Sequence, residues 1–185
     1  MLTKILAAID NSAASMRAFE TALELAQALK AEPILVHALD VFGPASPERP
    51  AIAATSYSIP LDELLRKSYE QRWGEFVSHY DALLKQKQEE AEAMGVSASS
   101  LQPYGRPGPA ICEAARVSDA DLIVVGSRDR SGLRELTLTS ISSYLMHHAP
   151  CSVMVVHTND VRHHAPKEDA ADISAPTPRD PAYSP

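Results

Sequence analysis

The chain has little of what would mark a nucleic-acid-binding, membrane or secreted protein. Lys and Arg number 17 against 24 Asp and Glu, so the formal net charge is −7, and no basic cluster interrupts this balance. Such a chain is not expected to bind nucleic acid or an anionic membrane. It also lacks an apolar run of membrane-spanning length and a signal-peptide pattern at its start, which predicts a cytoplasmic location.

Cysteine and metal-ligand clusters are equally scarce. The two cysteines, Cys112 and Cys151, lie in apolar surroundings and are predicted to be buried, reduced thiols. Histidines occur in pairs at 147–148 and 163–164, but helix neighbours face different directions and no ligand-spaced cysteine or carboxylate accompanies them. No metal site is therefore predicted, and His37 is interpreted as a core or interface residue.

What the chain does have is a regular alternation of strand and helix patterns. Short apolar runs are followed by segments whose apolar residues recur with the period of a helix. The predicted strands are 4–9, 33–41, 96–104, 121–125 and 151–157, and the helices between them include 107–118 and a segment that ends at Ala149. The segment 61–94 predicts one long helix, or two with a break near Gly74.

This alternation favours an α/β fold with a doubly wound parallel sheet, because parallel neighbours need crossover helices and buried parallel strands are continuously apolar. Ligands of such folds bind beyond the carboxyl ends of the strands, where the strand order changes direction. Asp10 and Gly126 follow the first and fourth predicted strands. The sequence therefore predicts a binding site at this edge of the sheet.

Two segments lack any periodic pattern. Residues 43–60 are rich in Pro, Ala and Ser and predict a long loop, which either covers the pocket as a lid or only connects two elements. Residues 159–185 contain almost no large apolar side chains and predict a disordered, Pro-rich tail. The folded domain is therefore expected to span 1–158.

Several motifs taken together resemble the universal stress protein family, part of a larger adenine-nucleotide-binding α/β superfamily. They are KILAAIDNS, LVHAL, GRPGPAICEAA, DLIVVGSR, SGLREL and SSYLMHHAPCSVMVV. The resemblance implies a five-stranded parallel sheet in the order 3-2-1-4-5, with helices on both faces. It also implies a homodimer formed through the fifth strand at 153–156, and pairing such an apolar edge strand with its copy is physically reasonable.

The same resemblance implies an adenine nucleotide, ATP or AMP, as cofactor. Asp10 would face the base or the ribose, but an Asp or Ser at this junction also caps the following helix, so for Asp10 a cap alone and a cap with a ligand contact both stay open. The residues implied to contact the base through backbone or apolar atoms are Ala8, Ile9, Ala38 and Val125.

A phosphate cradle is implied between the fourth strand and the last helix. The family pattern is Gly-x-x-Gly, nine residues, then Gly-Ser or Gly-Thr; Gly126 and Ser140 match it, whereas Asp129 and Thr139 replace two glycines. Free N–H groups at a helix start suit a phosphate, but a carboxylate repels one. The remaining implied cradle residues are Arg128, Ile141 and Ser142. If the cradle is used, Gly126→Val is expected to abolish binding and leave the fold intact.

Asp129 has an alternative role, because a carboxylate can also ligate a Mg²⁺ ion that bridges phosphates. Arg128 and Arg130 flank it and can offset its charge or contact phosphate oxygens.

Three functions are therefore considered. The first is a regulatory module of stress response or signalling that binds an adenine nucleotide with, at most, weak ATP hydrolysis. The alternative is a dimeric interaction or protective protein that has lost nucleotide binding through Asp129 and Thr139. An enzyme of the wider superfamily is the third, and no paired base and nucleophile at a strand end supports it.

Overall fold

The computed structural model describes residues 1–50, 59–127 and 141–157, which hold five strands and four helices. The strands are β1 (Lys4–Ala8), β2 (Glu32–Val36), β3 (Ser99–Leu101), β4 (Leu122–Ser127) and β5 (Ser152–His157). The helices are α1 (Ala13–Leu29), α2 (Ile59–Ala93), α3 (Pro107–Val117) and α4 (Ile141–His148). Residues 51–58 of the predicted loop and the predicted tail at 159–185 lie outside the described residues.

The five strands form one parallel sheet in the order β3-β2-β1-β4-β5. This confirms the predicted doubly wound α/β fold. The chain leaves the central strand β1 toward β2 and β3, then crosses back to add β4 and β5 on the other side. The carboxyl ends of β1 and β4 therefore flank the point where the strand order changes direction, which is where open α/β sheets bind ligands.

The sheet forms because its strands are apolar on both faces. Ile5, Leu6 and Ala7 of β1 have no exposed surface, as expected for a central parallel strand covered from both sides. Helices α1 and α2 cover one face, where Phe19 and Leu84 join the core. On the other face, residues of α3 and α4 pack against β1, β2 and β4.

Helix α1 has well-defined ends. Ser12 is its N-cap, and the Ser12 hydroxyl accepts a hydrogen bond from the Ser15 N–H, which satisfies one of the free donors of the first turn. Lys30 ends the helix in the left-handed conformation, with φ at 56°. The predicted Asp-Asn-Ser helix start is thus confirmed.

The segment predicted as one helix or two is the single helix α2 of 35 residues. Gly74 does not break it, since a helix interior tolerates a glycine at a cost of about 1 kcal/mol. In its first part Leu61 and Leu64 are exposed, while Tyr80 and Leu84 further along are buried against the sheet. Over the described residues, none of the helices combines the length and hydrophobicity that crossing a membrane would need.

Strands β2 and β3 are shorter than the predicted strands at 33–41 and 96–104. Strand β2 ends at Val36, and only an isolated bridge from Leu39 to Tyr104 continues the pairing with the segment after β3.

The two free cysteines have little contact with solvent, because Cys112 is buried and Cys151 is half-buried. Burial raises the pKa of each thiol, so both favour the protonated form.

Asp121 joins the amino ends of β1 and β4. Its Oδ2 atom accepts hydrogen bonds from the Thr3 N–H at 2.7 Å, the Thr3 hydroxyl at 2.8 Å and the Lys4 N–H at 3.0 Å. The two backbone donors and the Thr3 hydroxyl stabilise the carboxylate and lower the pKa of Asp121 from 3.8 to about 2.

Replacing Asp121 with alanine should therefore lower the urea midpoint of unfolding at neutral pH. Because the folded pKa lies below the unfolded one, the stabilisation is complete above about pH 4 and is lost as the pH falls toward 2. Urea titrations of the wild type and D121A at several pH values should give midpoints that converge in acid. E113A, which removes only an exposed ion pair, is the matched control, and an equal loss in both variants would contradict this role.

Candidate functional site

The carboxyl edge of the sheet brings several predicted site residues together. In the register of the sheet, Ala7 lies beside Val124 and Ala8 beside Val36. The Ile9 N–H extends this pairing by donating to the Val36 carbonyl at 2.8 Å. The chain segments that carry the predicted residues at the ends of β1, β2 and β4 are therefore neighbours at one edge. Those residues are Ala8, Ile9, Asp10, Ala38, Val125 and Gly126.

Asp10 takes part in the turn between β1 and α1. Its Oδ1 atom accepts hydrogen bonds from the Ser12 N–H, at 2.8 Å, and from the Ser12 hydroxyl. Ser12, not Asp10, is the cap that receives the helix N–H of Ser15. Asp10 therefore orients the capping residue, and its half-buried carboxylate stays at the edge of the sheet.

Ser15 binds the backbone on both sides of the β1 exit. The Ser15 hydroxyl donates to the Ala8 carbonyl at 3.2 Å and accepts from the Asp10 N–H at 2.8 Å. The residue is only 4% exposed. No local sequence pattern indicates this role of Ser15, because its partners depend on how α1 folds back over β1.

His37 holds the next backbone group of the same exit. Its Nδ1 atom lies 2.8 Å from the Ile9 carbonyl oxygen, and the residue is 8% exposed. Burial lowers the pKa of His37 below 6.5, opposed by the hydrogen bond to Ile9 and the charge of Asp10. The prediction of a core residue agrees with this burial, but the contact with Ile9 joins positions 28 apart and was not foreseen.

An aromatic row on α2 packs against His37. The His37 ring stacks on Tyr80 with a centroid distance of 3.5 Å and an interplanar angle of 8°. Phe76 lies edge-on to Tyr80, and Trp73 continues the row toward Tyr104. The helical spacing of Trp73, Phe76 and Tyr80 is part of the pattern that predicts the helix over 61–94. The structure adds that the row passes beside the carboxyl edge of the sheet.

Gly126 is a packing residue. A Cβ atom placed on it would lie 2.3 Å from the carbonyl oxygen of Ala14 and 2.8 Å from the Ala14 Cβ. The first turn of α1 therefore approaches the end of β4 more closely than any side chain permits. The expectation that a side chain at this position leaves the fold intact is contradicted, because it would displace α1.

The predicted cradle is described only in part. Ile141 and Ala8 both pack against the core cluster that contains Val125, and Ser142 is buried in the first turn of α4. Arg128, Asp129, Thr139 and Ser140, and with them the predicted cap of α4, lie outside the described residues.

Comparison with known proteins finds one family over most of the chain. The model of the universal stress protein family matches residues 1–157. The universal stress protein Slr1101 of Synechocystis is 37% identical over 54% of this chain and 92% of its own length. The universal stress protein YxiE of Bacillus subtilis is 30% identical over 84% of this chain and 99% of its own.

Solved structures share the fold. A universal stress protein in complex with cAMP is 23% identical, with a TM-score of 0.59, over 85% of this chain and 98% of its own. A member of the same family from Arabidopsis thaliana with AMP bound is 23% identical, with a TM-score of 0.54, over 85% of this chain and 93% of its own. At this identity they establish the architecture alone.

The contact between Gly126 and α1 predicts the effect of the smallest possible side chain. Gly126→Ala should destabilise the protein by about 1–3 kcal/mol, because the added methyl group overpacks the approach of Ala14. Gly74→Ala is the matched control: position 74 is helical and has nothing within 4 Å of a Cβ, so it should stabilise by about 0.5–1 kcal/mol.

Chemical denaturation of both glycine variants measures these free energies of unfolding. A G126A protein as stable as the wild type would show that α1 and β4 are not in close contact.

Proposed function

The chain belongs to the universal stress protein family, and on that premise we propose that it is a regulatory module that binds an adenine nucleotide in stress response or signalling. The observation that carries the proposal is the β1 exit at the switch point of the sheet. There the Asp10 carboxylate accepts a hydrogen bond from the Ser12 N–H, and the backbone N–H of Asp10 donates to the Ser15 hydroxyl. A fixed carboxylate at such an edge suits the hydroxyl groups of a ribose.

The apolar walls of the edge suit a base. Ala38 and Val125 are 9% and 5% exposed, and they lie beyond β2 and within β4 on either side of the β1 exit. Small apolar side chains leave room for a flat ring, and backbone groups of the strand ends lie near that space, as in other small-molecule sites. In this proposal Ala8, Ile9, Ala38 and Val125 surround the adenine.

Two structural relatives support the choice of nucleotide class. One is described in complex with cAMP and another with AMP bound, and the two ligands share adenosine and differ in their phosphate. We therefore propose AMP or ATP as the ligand of this chain, with Mg²⁺ accompanying ATP if Asp129 ligates it. The role is regulatory, with at most slow hydrolysis of ATP.

The competing function is a dimeric interaction or protective protein without a nucleotide. Asp129 and Thr139 favour it, because each places a side chain where the family pattern has glycine. A carboxylate near the phosphates adds a repulsion of order 1 kcal/mol in a partly screened site. AMP, with fewer phosphate charges than ATP, would meet less of this repulsion.

We also propose that the protein is a homodimer joined through β5. This strand is one edge of the sheet, its Met154 is 37% exposed, and Val153, Val155 and Val156 are half-buried. An apolar edge strand exposes unpaired backbone groups, and pairing with its own copy about a two-fold axis satisfies them.

Isothermal titration calorimetry with ATP, ADP and AMP tests the nucleotide proposal. Removing the repulsive carboxylate in Asp129→Gly should tighten ATP binding about fivefold and AMP binding less, in the presence of Mg²⁺. Asp119→Gly is the matched control, since it removes an exposed carboxylate that precedes β4, at the amino ends of the strands and away from the candidate site. It should leave both affinities unchanged.

The outcomes separate the rivals. Absence of binding by both the wild type and D129G would favour the interaction protein. Weaker ATP binding in D129G would instead assign Asp129 to the Mg²⁺ ion.

The dimer proposal predicts the effect of a charge on the edge strand. Met154→Lys should convert the dimer to a monomer in light-scattering chromatography, because a lysine on an edge strand opposes pairing. Met94→Lys places the same charge just beyond the end of α2, where Met94 is 47% exposed, and this variant should remain dimeric. A monomeric wild type would contradict the proposal directly.

A further inference from the structure

Two buried polar side chains each bind the backbone where the chain leaves β1, and together they hold one group from each of three successive residues. Ser15 binds the Ala8 carbonyl and the Asp10 N–H, and His37 binds the Ile9 carbonyl. They are 4% and 8% exposed and belong to different elements, α1 and the segment after β2. We name this pair, Ser15 and His37, the β1 clamp.

The contact with Ile9 fixes the protonation of the His37 ring. A carbonyl oxygen only accepts hydrogen bonds, so the Nδ1 atom of His37 carries the hydrogen. In the neutral ring the Nε2 atom is then a buried acceptor, and it finds no hydrogen-bond partner in the part of the chain that is described. A buried acceptor left unpaired opposes folding.

An apolar residue would avoid that penalty and could still pack against Tyr80. Only a donor, however, can bind the Ile9 carbonyl, and the rest of the run from Ile34 to Leu39 is apolar. His37 therefore lowers the free energy of unfolding, because its buried Nε2 atom is unpaired, but it also orders the backbone next to Asp10 through the Ile9 carbonyl. This exchange is typical of a position that serves a binding site.

We propose that the β1 clamp positions Asp10 for the nucleotide, and that it does so only while His37 is neutral. The proposal rests on the proposed function, since it concerns the same site. Neither side chain touches the ligand in this account; each acts through the backbone that carries Asp10.

Protonation gives the clamp a pH dependence because it adds an N–H at the buried Nε2. The groups that act on His37 are the Asp10 carboxylate from the turn after β1 and the His79 ring from α2, with the neutral Tyr80 stacked on it. Asp10 is the anion among them. The Ile9 carbonyl also favours the charged ring, but the new Nε2–H is buried and has no acceptor among the described residues. To pair this N–H the ring must turn toward Asp10, which breaks the Ile9 contact and engages the carboxylate that the ribose needs.

The direction of the effect follows from burial. Desolvation lowers the pKa of His37 below 6.5, so the neutral ring persists at neutral pH and the change comes in mild acid. Since the folded pKa is below the unfolded one, the contribution of this group to stability is complete above 6.5 and declines as the pH falls through the folded pKa.

The first experiment needs no nucleotide. In ¹⁵N-labelled wild type, titrated from about pH 7.5 to about pH 5, the amide signals of Ile9 and Asp10 should shift with the same midpoint as the His37 ring. His37→Asn keeps a donor near Nδ1 but cannot be protonated, so these shifts should disappear. His147→Asn removes an exposed histidine and should retain them. A His37 ring that titrates without moving either amide overturns the clamp.

The second experiment measures binding of ATP by calorimetry over the same pH range. The ratio of wild-type to H37N affinity cancels the titration of ATP itself, and we expect it to fall about fivefold or more from pH 7.5 to pH 5.5. A ratio independent of pH overturns the proposal, because a purely structural histidine would weaken binding equally throughout.

Ser15→Ala tests the clamp without altering a titrating group, and alanine suits a helix. It should weaken ATP binding about tenfold at pH 7.5. Thr21→Ala, which removes a hydroxyl bonded within α1 to Arg17, should bind as the wild type does. An S15A protein that binds ATP as tightly as the wild type would contradict the clamp. This test does not depend on whether H37N folds. Coupled amide shifts in a protein that binds no nucleotide would retain the clamp and reject the proposed function.

Discussion

Strand β1 lies at the centre of the sheet, and the way the chain leaves it governs the rest of the candidate site. Its central residues Ile5, Leu6 and Ala7 have no exposed surface between two layers of helices, and the buried backbone groups next to them need partners within the protein. Ser15 and His37 provide the hydrogen bonds, and Asp10 and Ser12 begin α1 directly afterwards. Helix α1 then packs so closely on β4 that position 126 must be glycine. The ordered backbone at the carboxyl ends of β1 and β4 is therefore a consequence of how α1 packs on the sheet.

This arrangement changes the meaning of the most conspicuous glycine. From the sequence, Gly126 belongs to a phosphate cradle. In the structure its missing side chain admits the Ala14 backbone of α1, which is sufficient reason for a glycine whether or not a phosphate is bound. The proposed nucleotide binding consequently depends more on Asp10 and the apolar walls around it than on the glycine pattern.

The sequence allowed a large part of the fold to be predicted, because strands buried on both faces are continuously apolar and helices carry their own period. The strand order came from the family resemblance. The predictions failed or stayed open where tertiary contacts decide: β2 stops at Val36, α2 runs through Gly74 without a break, and Ser15 and His37 meet the same strand exit from distant positions. Such long-range contacts leave no periodic signal in a single sequence.

The central claim is that this edge holds an adenine nucleotide. Native mass spectrometry of freshly purified protein, followed by extraction and identification of any bound nucleotide and by addition of ATP, ADP and AMP, tests it most directly. The account predicts a dimer that carries or takes up an adenine nucleotide, one per protomer. A dimer that arrives empty and accepts none of the three would contradict the account and leave an interaction protein with the same fold.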